Sequence, residues 1–456
     1  MALWHNRHTM KLKKFIKKIF PKVFINIRHF VYECLAAKEY QFPSNELYVI
    51  GVTGTSGKSS VVYMLRHVLE AAGFTVGSLS TIDFSIAGEN QLNDQKMTML
   101  GKGQTQAYLR KMVNAGCDIA IVETTSEGRL QHRHRFVNYD MMLLTNLYPE
   151  HLESHGGFEN YKQAKRDIFS HTMRQKQKVL TNTKLPFDES IALVNGNSEY
   201  AHEFLCYPFT QRAVFGRTDH ERVLLGDHVH TYYANNIVQA AGGLQFSVLS
   251  RQFTPRLYGE YQAVNLSAVI AVARELAVSW EVISQAVNDM PAIPGRVEFI
   301  PEAEKKGITV IVDYAFEPVA LDGLYSVVKL LSPKRVIHVT GSAGGGRDIA
   351  NRFAKGRLIG EKSDIMIVTN EDPYDDDPMK IINDVANSAV EVGKRDMVDL
   401  FRIQNRQQAI NKAISLATSG DIVLVTGKGS EQRMCIAGGE MIPWDDREAV
   451  RLAIHQ

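Results

Sequence analysis

Apolar residues along this chain of 456 residues follow two spacings, which predict alternating strands and helices. Continuous apolar runs that end in polar or glycine residues are typical of strands buried on both faces. After the first run, residues 59–73 show apolar side chains at helical spacing and end on a glycine. This alternation predicts an α/β fold with a mostly parallel sheet. The predicted strands lie at 47–52, 117–123, 139–146, 308–314, 335–341, 364–370 and 421–427.

The predicted strands fall into two sets separated by a segment rich in proline and glycine. This segment, 291–297, predicts a hinge, because Pro and Gly interrupt regular structure. We therefore expect two α/β domains, at 47–296 and 297–456, preceded by a basic segment at 1–46.

The first 32 residues contain eight lysines and arginines and no acidic residue. Since the whole chain carries +2, the remaining residues sum to −6, which argues against a body that binds nucleic acid. Apolar residues recur at helical spacing within 12–27, with lysines on the other face and an interruption at Pro21. Two interpretations remain open: residues 11–30 contact an anionic membrane, or the helix docks on the protein itself. A signal peptide does not fit, because basic and apolar residues interleave.

Cysteine usage and hydropathy restrict the class of protein further. The four cysteines are scattered and form no CxxC pair, so a disulfide framework or a cysteine zinc site is not expected. This usage fits the cytoplasm. No apolar run reaches the roughly 18 residues that a transmembrane helix needs.

The sequence GVTGTSGKSS, residues 51–60, joins a predicted strand to a predicted helix, as a phosphate-binding loop does. Amide groups at a helix N-terminus bind anionic oxygens. Lys58 is placed to reach the β- and γ-phosphates, and the Ser59 hydroxyl to bind Mg²⁺. The loop departs from the strict phosphate-loop pattern at Val52, where a glycine is usual.

Acidic and histidine residues follow two of the predicted strands. Glu123 ends a strand on the side where the phosphate loop should lie, and is either an Mg²⁺ ligand or a solvated acid. His151 and His155 are four residues apart, but Gly156 and Gly157 follow at once. Without an HExxH pattern, a zinc hydrolase is not expected.

Taken with these motifs, a longer series resembles the Mur ligases, and among them the muramoyl-tripeptide synthetases known as MurE. The series runs ETTSEGRLQHR, TNLYPEHLESHGGFENYKQAKRDIF, GEYQAVNLSA, PGRVE, VDYAFEP, GGGRD, TNEDPY, GKGSE and DDRE, in the family's order. The resemblance implies a central P-loop-type ATPase domain and a C-terminal Rossmann-like domain. It also implies a cytoplasmic, monomeric enzyme of peptidoglycan synthesis. The implied reaction joins an amino acid to UDP-N-acetylmuramoyl-L-alanyl-D-glutamate through an acyl phosphate, with ATP and Mg²⁺.

The resemblance assigns roles to residues at matching positions. The catalytic set is Lys58, Glu123, His151, Lys165 and Arg296. The ATP-binding set is Thr53, Gly54, Thr55, Ser56, Gly57, Lys58, Ser59, Ser60, Asn265, Arg296 and Asp313. The metal set is Ser59, Glu123, His151 and Lys165, the last as N6-carboxylysine. The muramoyl-peptide set is Thr98, Ser126, Gln131 and Arg133. The amino-acid set is Arg347, Glu371, Asp372, Tyr374, Gly427 and Glu431.

Some positions depart from the family pattern. Tyr374 replaces the arginine that pairs with the second carboxylate of meso-diaminopimelate, while Glu371 and Asp372 suit an ammonium group. Glu150 replaces the usual aspartate before the metal histidine. The segment 1–46 is shorter than the UDP-binding domain that usually opens such enzymes.

Two other functions remain as alternatives. One is a ligase of the same superfamily with another acceptor, similar to folylpolyglutamate synthetase; the QHR that follows ETTSEGRL favours the muramoyl substrate. The other is a non-catalytic nucleotide-binding protein docked on the membrane by its basic helix. The retained Lys58, Glu123, His151 and Lys165 argue against it.

Overall fold

The computed structural model describes residues 22–150, 155–174, 178, 180, 185, 189–218, 229–346 and 349–456. Its strands form two large sheets and one small hairpin. Strands of the first sheet are β1 (Tyr48–Thr53), β2 (Val76–Leu79), β3 (Asp83–Ile86), β4 (Glu89–Leu92), β5 (Ile119–Glu123), β6 (Met141–Leu144), β7 (Ile191–Asn195), β8 (Gln211–Arg217), β9 (Val229–Ala240), β10 (Gly243–Val248) and β11 (Arg251–Phe253). Strands of the second sheet are β12 (Glu298–Phe299), β13 (Thr309–Asp313), β14 (Val336–Thr340), β15 (Ile365–Thr369), β16 (Leu400–Ile403) and β17 (Ile422–Thr426). The hairpin strands are β18 (Arg433–Cys435) and β19 (Met441–Pro443).

Helices connect these strands and cover the sheets. Those of the N-terminal part are α1 (Lys22–Glu39), α2 (Lys58–Ala71), α3 (Gln104–Asn114), α4 (Ser126–Leu130), α5 (Phe158–Met173), α6 (Ala201–Leu205), α7 (Tyr261–Glu275) and α8 (Trp280–Asn288). Those of the C-terminal part are α9 (Pro318–Leu330), α10 (Ile349–Lys362), α11 (Pro378–Val390), α12 (Arg406–Leu416) and α13 (Asp446–His455).

The first sheet has the strand order β11-β10-β9-β8-β7-β6-β1-β5-β2-β3-β4. The block from β9 to β2 is parallel, and the strands beyond it at both edges pair antiparallel. All residues of β1, β5 and β6 are buried. Since side chains alternate across a strand, Ile50 packs with α2 and α7 on one face, and Val49 with α3 and α5 on the other.

The second sheet has the strand order β12-β13-β17-β14-β15-β16, and all neighbours except β12 and β13 are parallel. Helices α9 and α11 cover one face, while α12 and α13 cover the other. The predicted α/β class, with a mostly parallel sheet and a second sheet, is therefore confirmed, and each predicted strand has a counterpart. The antiparallel edge strands of the first sheet were not predicted. Among the described residues, no helix is both long and apolar enough to cross a membrane.

Helix α1 docks on the body through one face. The Phe30 ring lies 5.7 Å from the ring of His132 and 5.5 Å from that of Phe136, measured between centroids. Glu33 accepts a hydrogen bond from the Gly103 amide at 3.2 Å. The opposite face leaves Ile27, Val31 and Leu35 exposed. One face of α1 is therefore docked on the protein itself, as one of the two interpretations expected. Residues 11–21 of the predicted basic helix lie outside the described residues.

A buried ion pair joins two helices of the C-terminal part. The Arg406 guanidinium donates to both carboxylate oxygens of Asp446 at 2.7 Å, and neither side chain is exposed. The same guanidinium donates to the Thr426 carbonyl at the end of β17. This pair ties the N-terminus of α13 to α12 and to the carboxyl edge of the second sheet.

We predict that Asp446→Ala strongly destabilises the chain, because it leaves the Arg406 charge buried without its carboxylate. The free energy of unfolding, from denaturant titration, should fall by about 3–5 kcal/mol. The control is Asp396→Ala, which breaks the exposed pair with Arg402 and should cost about 1 kcal/mol or less. Equal losses in the two variants would contradict the prediction.

Candidate active site

The loop between β1 and α2 has a backbone shape that only glycine adopts easily. Gly54 has φ 149° and Gly57, at the start of α2, has φ 77°. A Cβ atom on Gly54 would lie 1.8 Å from the Thr145 hydroxyl oxygen. Glycine at these two positions is therefore a packing requirement as well as a conformational one.

The two residues that follow β6, Thr145 and Asn146, hold this loop through hydrogen bonds. The Asn146 side-chain oxygen accepts hydrogen bonds from the amides of Thr55 at 3.1 Å and Ser56 at 2.9 Å. The Thr145 hydroxyl donates to the Ser56 carbonyl at 2.7 Å. Among the other predicted loop residues, Thr53 ends β1, and Ser60 is buried in the first turn of α2. The loop held in this way leads directly into the N-terminus of α2, whose amides suit an anion such as phosphate.

Lys58 opens α2 and folds back over the loop. Its ammonium donates to the carbonyl oxygens of Gly54 at 3.1 Å and Thr55 at 2.8 Å. Its position thus brings a positive charge to the centre of the loop. A triphosphate fits this arrangement of glycines, helix N-terminus and lysine.

Glu123 ends β5 directly beside the loop, because Val52 and Glu123 are register partners in the parallel pair β1–β5. The Ser59 hydroxyl donates to one carboxylate oxygen of Glu123 at 3.1 Å. The amide and hydroxyl of Thr81 donate to the other, at 2.8 and 3.1 Å. A hydroxyl and a carboxylate in contact are hard oxygen donors, so these residues fit Mg²⁺.

Lys165 lies on α5 and is buried under the loop. Its ammonium donates to the Gly54 carbonyl at 2.7 Å and lies 4.6 Å from the centroid of the Tyr161 ring. Burial lowers the pKa of Lys165 well below its ordinary value, the charge of Lys58 lowers it further, and Glu150 opposes this. A lowered pKa increases the fraction of the neutral amine, the form that reacts with CO₂, and a carbamate would keep one N–H for the Gly54 carbonyl, so the site fits a carbamate.

The predicted muramoyl-peptide residues lie on segments next to Glu123. The Thr98 hydroxyl oxygen lies 2.9 Å from the Thr81 hydroxyl oxygen, within hydrogen-bond distance. Ser126, at the start of α4, is 3.1 Å from the Nε2 atom of His155. Arg133 follows the same helix and donates to the Gln131 side-chain oxygen at 2.5 Å.

The remaining predicted ATP residues lie on α7 and at the junction of the two sheets. A Cβ atom on Gly57 would lie 2.8 Å from the Asn265 side-chain oxygen, so Asn265 adjoins the start of α2. The Asp313 carboxylate accepts hydrogen bonds from the amides of Val297 and Ala315, each at 2.6 Å. Burial raises the pKa of Asp313, and the charge of Arg296 only partly offsets this.

Arg296 lies within the predicted hinge. Its guanidinium is 4.2 Å from the centroid of the Tyr314 ring. Because Tyr314 directly follows Asp313 in the sequence, this contact places Arg296 close to Asp313.

Three acids of the predicted amino-acid set gather at the carboxyl edge of the second sheet. The Lys428 ammonium donates to both oxygens of Asp372 at 3.1 Å and to Glu431 at 2.5 Å. The Oε2 atom of Glu371 is buried and has no hydrogen-bond partner among the described residues. A Cβ atom on Gly427 would lie 2.3 Å from this oxygen, so glycine makes room for it. Burial raises the pKa of Glu371, against the nearby charges of Lys355 and Arg406.

Tyr374 follows these acids in a left-handed backbone conformation, with φ 52°. It is half-buried, and its amide donates to the Cys435 carbonyl at 3.3 Å.

A lysine from the first sheet's side also reaches these acids. The Lys96 ammonium contacts the Asp372 carboxylate and lies 3.3 Å from that of Glu431. The acids of this set predict an acidic pocket from the sequence, and the pairing with Lys96 was not foreseen. Thr81 and Asn146 were also missed, since nothing in the local pattern marks either as part of the site.

Two predicted residues lie outside the described part of the chain. They are His151, expected to bind metal, and Arg347, expected to bind the amino acid. Their positions remain predictions.

Comparison with known sequences relates both parts of the chain to one family. Residues 52–273 match the family model of the Mur ligase middle domain, and residues 295–429 match that of the Mur ligase, glutamate ligase domain. A UDP-N-acetylmuramyl-tripeptide synthetase from Roseiflexus sp. (strain RS-1) is 33% identical over 429 residues, covering 92% of this chain and 81% of the relative. A UDP-N-acetylmuramoyl-L-alanyl-D-glutamate–2,6-diaminopimelate ligase from Alkaliphilus oremlandii (strain OhILAs) is 30% identical over 419 residues, covering 91% of this chain and 79% of the relative.

A solved structure shows the same fold. The folylpolyglutamate synthase of Mycobacterium tuberculosis, complexed with ADP and AMPPCP, aligns with a TM-score of 0.64 at 16% identity. The alignment covers 93% of this chain and 95% of that one. At this identity the likeness concerns the fold alone.

We predict that the buried amine of Lys165 makes stability depend on pH. Its folded-state pKa lies below the ordinary 10.5, so between the two values the unfolded chain binds the extra proton. Stability should therefore rise with pH in that window, by at most about 1.4 kcal/mol per pH unit for one proton.

The measurement is denaturant unfolding of wild type and Lys165→Met in CO₂-free buffer at several pH values between 6 and 9. The stability gained by Lys165→Met should shrink as pH rises. Lys305→Met, at an exposed lysine, is the control and should follow wild type at every pH. A constant difference between wild type and Lys165→Met would contradict the prediction.

Proposed function

The chain belongs to the Mur ligase family, and from that premise we propose that it joins an amino acid to UDP-N-acetylmuramoyl-L-alanyl-D-glutamate in peptidoglycan precursor synthesis. It is an ATP-dependent ligase, as the family membership of both parts implies. The observation that carries the proposal is the convergence of Lys58, Lys165 and the Ser59–Glu123 pair on one loop. Such a convergence of charge serves a reaction in which two anions must meet.

In the proposed reaction, a substrate carboxylate oxygen attacks the γ-phosphorus of ATP, and the bond to ADP breaks. The amine of the amino acid then attacks the acyl phosphate carbonyl, and phosphate leaves. Lys58 binds the β- and γ-phosphate oxygens, exchanging its present carbonyl partners for them. Arg296, at the hinge, carries a second positive charge toward the γ-phosphate from the C-terminal side.

The oxygen atoms of Ser59 and Glu123, which are in hydrogen-bond contact, are the proposed metal ligands. The Ser59 hydroxyl and the Glu123 carboxylate would hold Mg²⁺, which would supply positive charge to screen the triphosphate from the attacking carboxylate. Thr81 holds the far oxygen of Glu123, which fixes the direction of the near one. Lys165 as N6-carboxylysine would hold a second Mg²⁺ together with His151.

The two substrates are assigned to opposite sides of this loop. Thr98, Ser126, Gln131 and Arg133 would hold the muramoyl peptide, because they lie on segments that adjoin Glu123. The amino acid would lie at the edge of the second sheet, where the buried Glu371 oxygen offers an acceptor to an amine. Arg347 would bind its α-carboxylate.

We also propose the domain boundaries, the oligomeric state and the location of the chain. We assign the ATP-binding domain to 47–296 and the C-terminal domain to 297–456, with a monomer in the cytoplasm. The fold is also that of a folylpolyglutamate synthase, so fold alone does not choose the acceptor. The names of the relatives that are 30% or more identical support the muramoyl peptide over folate.

We predict that phosphate release from ATP requires both UDP-N-acetylmuramoyl-L-alanyl-D-glutamate and an amino acid. Release is measured with each substrate omitted in turn, over a panel of amino acids, and the product is identified by mass spectrometry. Lys165→Ala should lower kcat by at least about a hundredfold, and added short carboxylates should restore part of it by standing in for the carbamate.

Two results would contradict this function. Phosphate release with folate and glutamate, but not with the muramoyl peptide, would assign the chain to the other acceptor. Full activity of Lys165→Ala would remove the carbamate from the mechanism.

We also propose that the N-terminal region binds an anionic membrane surface. The exposed fractions of Ile27, Val31 and Leu35 are 53%, 45% and 58%, and their spacing of four residues aligns them along α1. In the sequence, Ile27 and Val31 belong to the basic, acid-free stretch of residues 1–32. An apolar stripe flanked by lysines and arginines is typical of helices that lie in a lipid interface.

We predict that the full chain sediments with phosphatidylglycerol vesicles and not with phosphatidylcholine vesicles. Binding should fall steeply with salt, since charge attraction is screened over about 10 Å at 0.1 M. Replacing Ile27, Val31 and Leu35 by serine should weaken binding. The control replaces the exposed Met397 and Val398 by serine and should leave it unchanged. Equal sedimentation with both vesicle types would contradict the proposal.

A further inference from the structure

Two carboxylates of the predicted amino-acid site share two ammonium groups. Asp372 and Glu431 both contact Lys428, which is fully buried, and both contact Lys96, whose side chain is 9% exposed. Burial alone would lower the pKa of Lys96, but Glu431 and Asp372 raise it above its ordinary value, so the side chain stays charged. The lysine charges from Lys428 and Lys96 thus balance those of the two acids.

Lys96 comes from the other side of the molecule, on the segment that follows β4. Asn93 is buried at the base of this segment and donates to the carbonyls of Ser80 and Met97 at 2.8 and 2.9 Å. Lys96 itself has a left-handed backbone, with φ 51°, which is costly for a residue with a side chain. A second ion pair, between Asp94 and Arg433 at 3.3 Å, holds the same segment to the C-terminal part.

This segment is therefore built to deliver one positive charge into the acid pair. Asp372 and Glu431 are two of the acids to which a side-chain ammonium of an incoming amino acid would be drawn. With Lys96 in place, that ammonium meets a balanced pair instead of an acidic one. The charge of Lys96 would therefore discriminate between amino acids by the charge of their side chains. A contact that only tethered the two parts of the chain would not.

We propose that Lys96 is a specificity-determining residue of the amino-acid site. Its ammonium reduces the preference for a cationic side chain and favours a side chain that carries a compensating carboxylate. L-Lysine has a side chain with one positive charge, whereas the distal group of meso-diaminopimelate is zwitterionic. The inference rests on the proposed function, because it assumes that Asp372 and Glu431 face the side chain of the amino-acid substrate.

The test compares kcat/KM for L-lysine and meso-diaminopimelate in wild type and Lys96→Met, with ATP and the muramoyl peptide saturating. The ratio of the L-lysine value to the meso-diaminopimelate value should rise about tenfold or more in Lys96→Met, since one unit charge is removed at contact distance. Lys96→Arg, which keeps the charge, should stay near the wild-type ratio. Lys102→Met, at an exposed lysine six residues further on, is the matched control and should also keep it.

An unchanged ratio in Lys96→Met, with both kcat/KM values lowered equally, would overturn the proposal and leave Lys96 as a tether between the two parts. Calorimetric binding of L-lysine and L-norleucine to wild type and Lys96→Gln separates this result from a failure of the proposed function. If no amino acid is ligated, the proposed function fails. A selective tightening of L-lysine binding in Lys96→Gln would still support the role of Lys96, and equal affinities in both proteins would refute it.

Discussion

The parallel pairing of β1 with β5 determines where the charges of the site meet. Val52 lies opposite Glu123, so the acid stands at the point where β1 gives way to the loop and α2. A shift of one residue in this register would turn the Glu123 side chain to the other face of the sheet. The register is fixed in turn by burial, since every residue of both strands is buried between helices. The packing that fixes the register of the central sheet therefore also fixes the position of the Ser59–Glu123 contact.

The second sheet also brings polar residues together at the carboxyl ends of its parallel strands. Its strands β13, β14, β15 and β17 also end in polar residues at one edge, but there the acids meet lysines instead of a phosphate loop. Lys428 comes from the same edge, whereas Lys96 crosses from the first sheet's side. The two edges are thus joined by charge as well as by the chain segment 291–297. Without Lys96, Asp372 and Glu431 would be left with the one ammonium group of Lys428.

The elements predicted correctly are those whose burial produces a recognisable run of apolar residues in the sequence. Strands such as Ile422–Thr426 are buried on both faces and read as continuous apolar runs. The edge strand Glu89–Leu92 is mostly exposed and polar, so no pattern distinguishes it from a loop. Within the site, the positions of Lys58, Ser59 and Glu123 followed from strand ends and the loop motif. Thr81 and Lys96 did not, because their contacts join segments distant in sequence through side chains that are ordinary for a surface loop.

The Gly54 carbonyl accepts hydrogen bonds from two ammonium groups, those of Lys58 and Lys165. Because this acceptor belongs to the backbone, its position is set by the path of the loop at Gly54 and not by any one side chain. A side chain at Gly54 would meet the Thr145 hydroxyl and would displace the carbonyl from both lysines together. The two lysines therefore share one point of failure, at a residue that carries no functional group of its own.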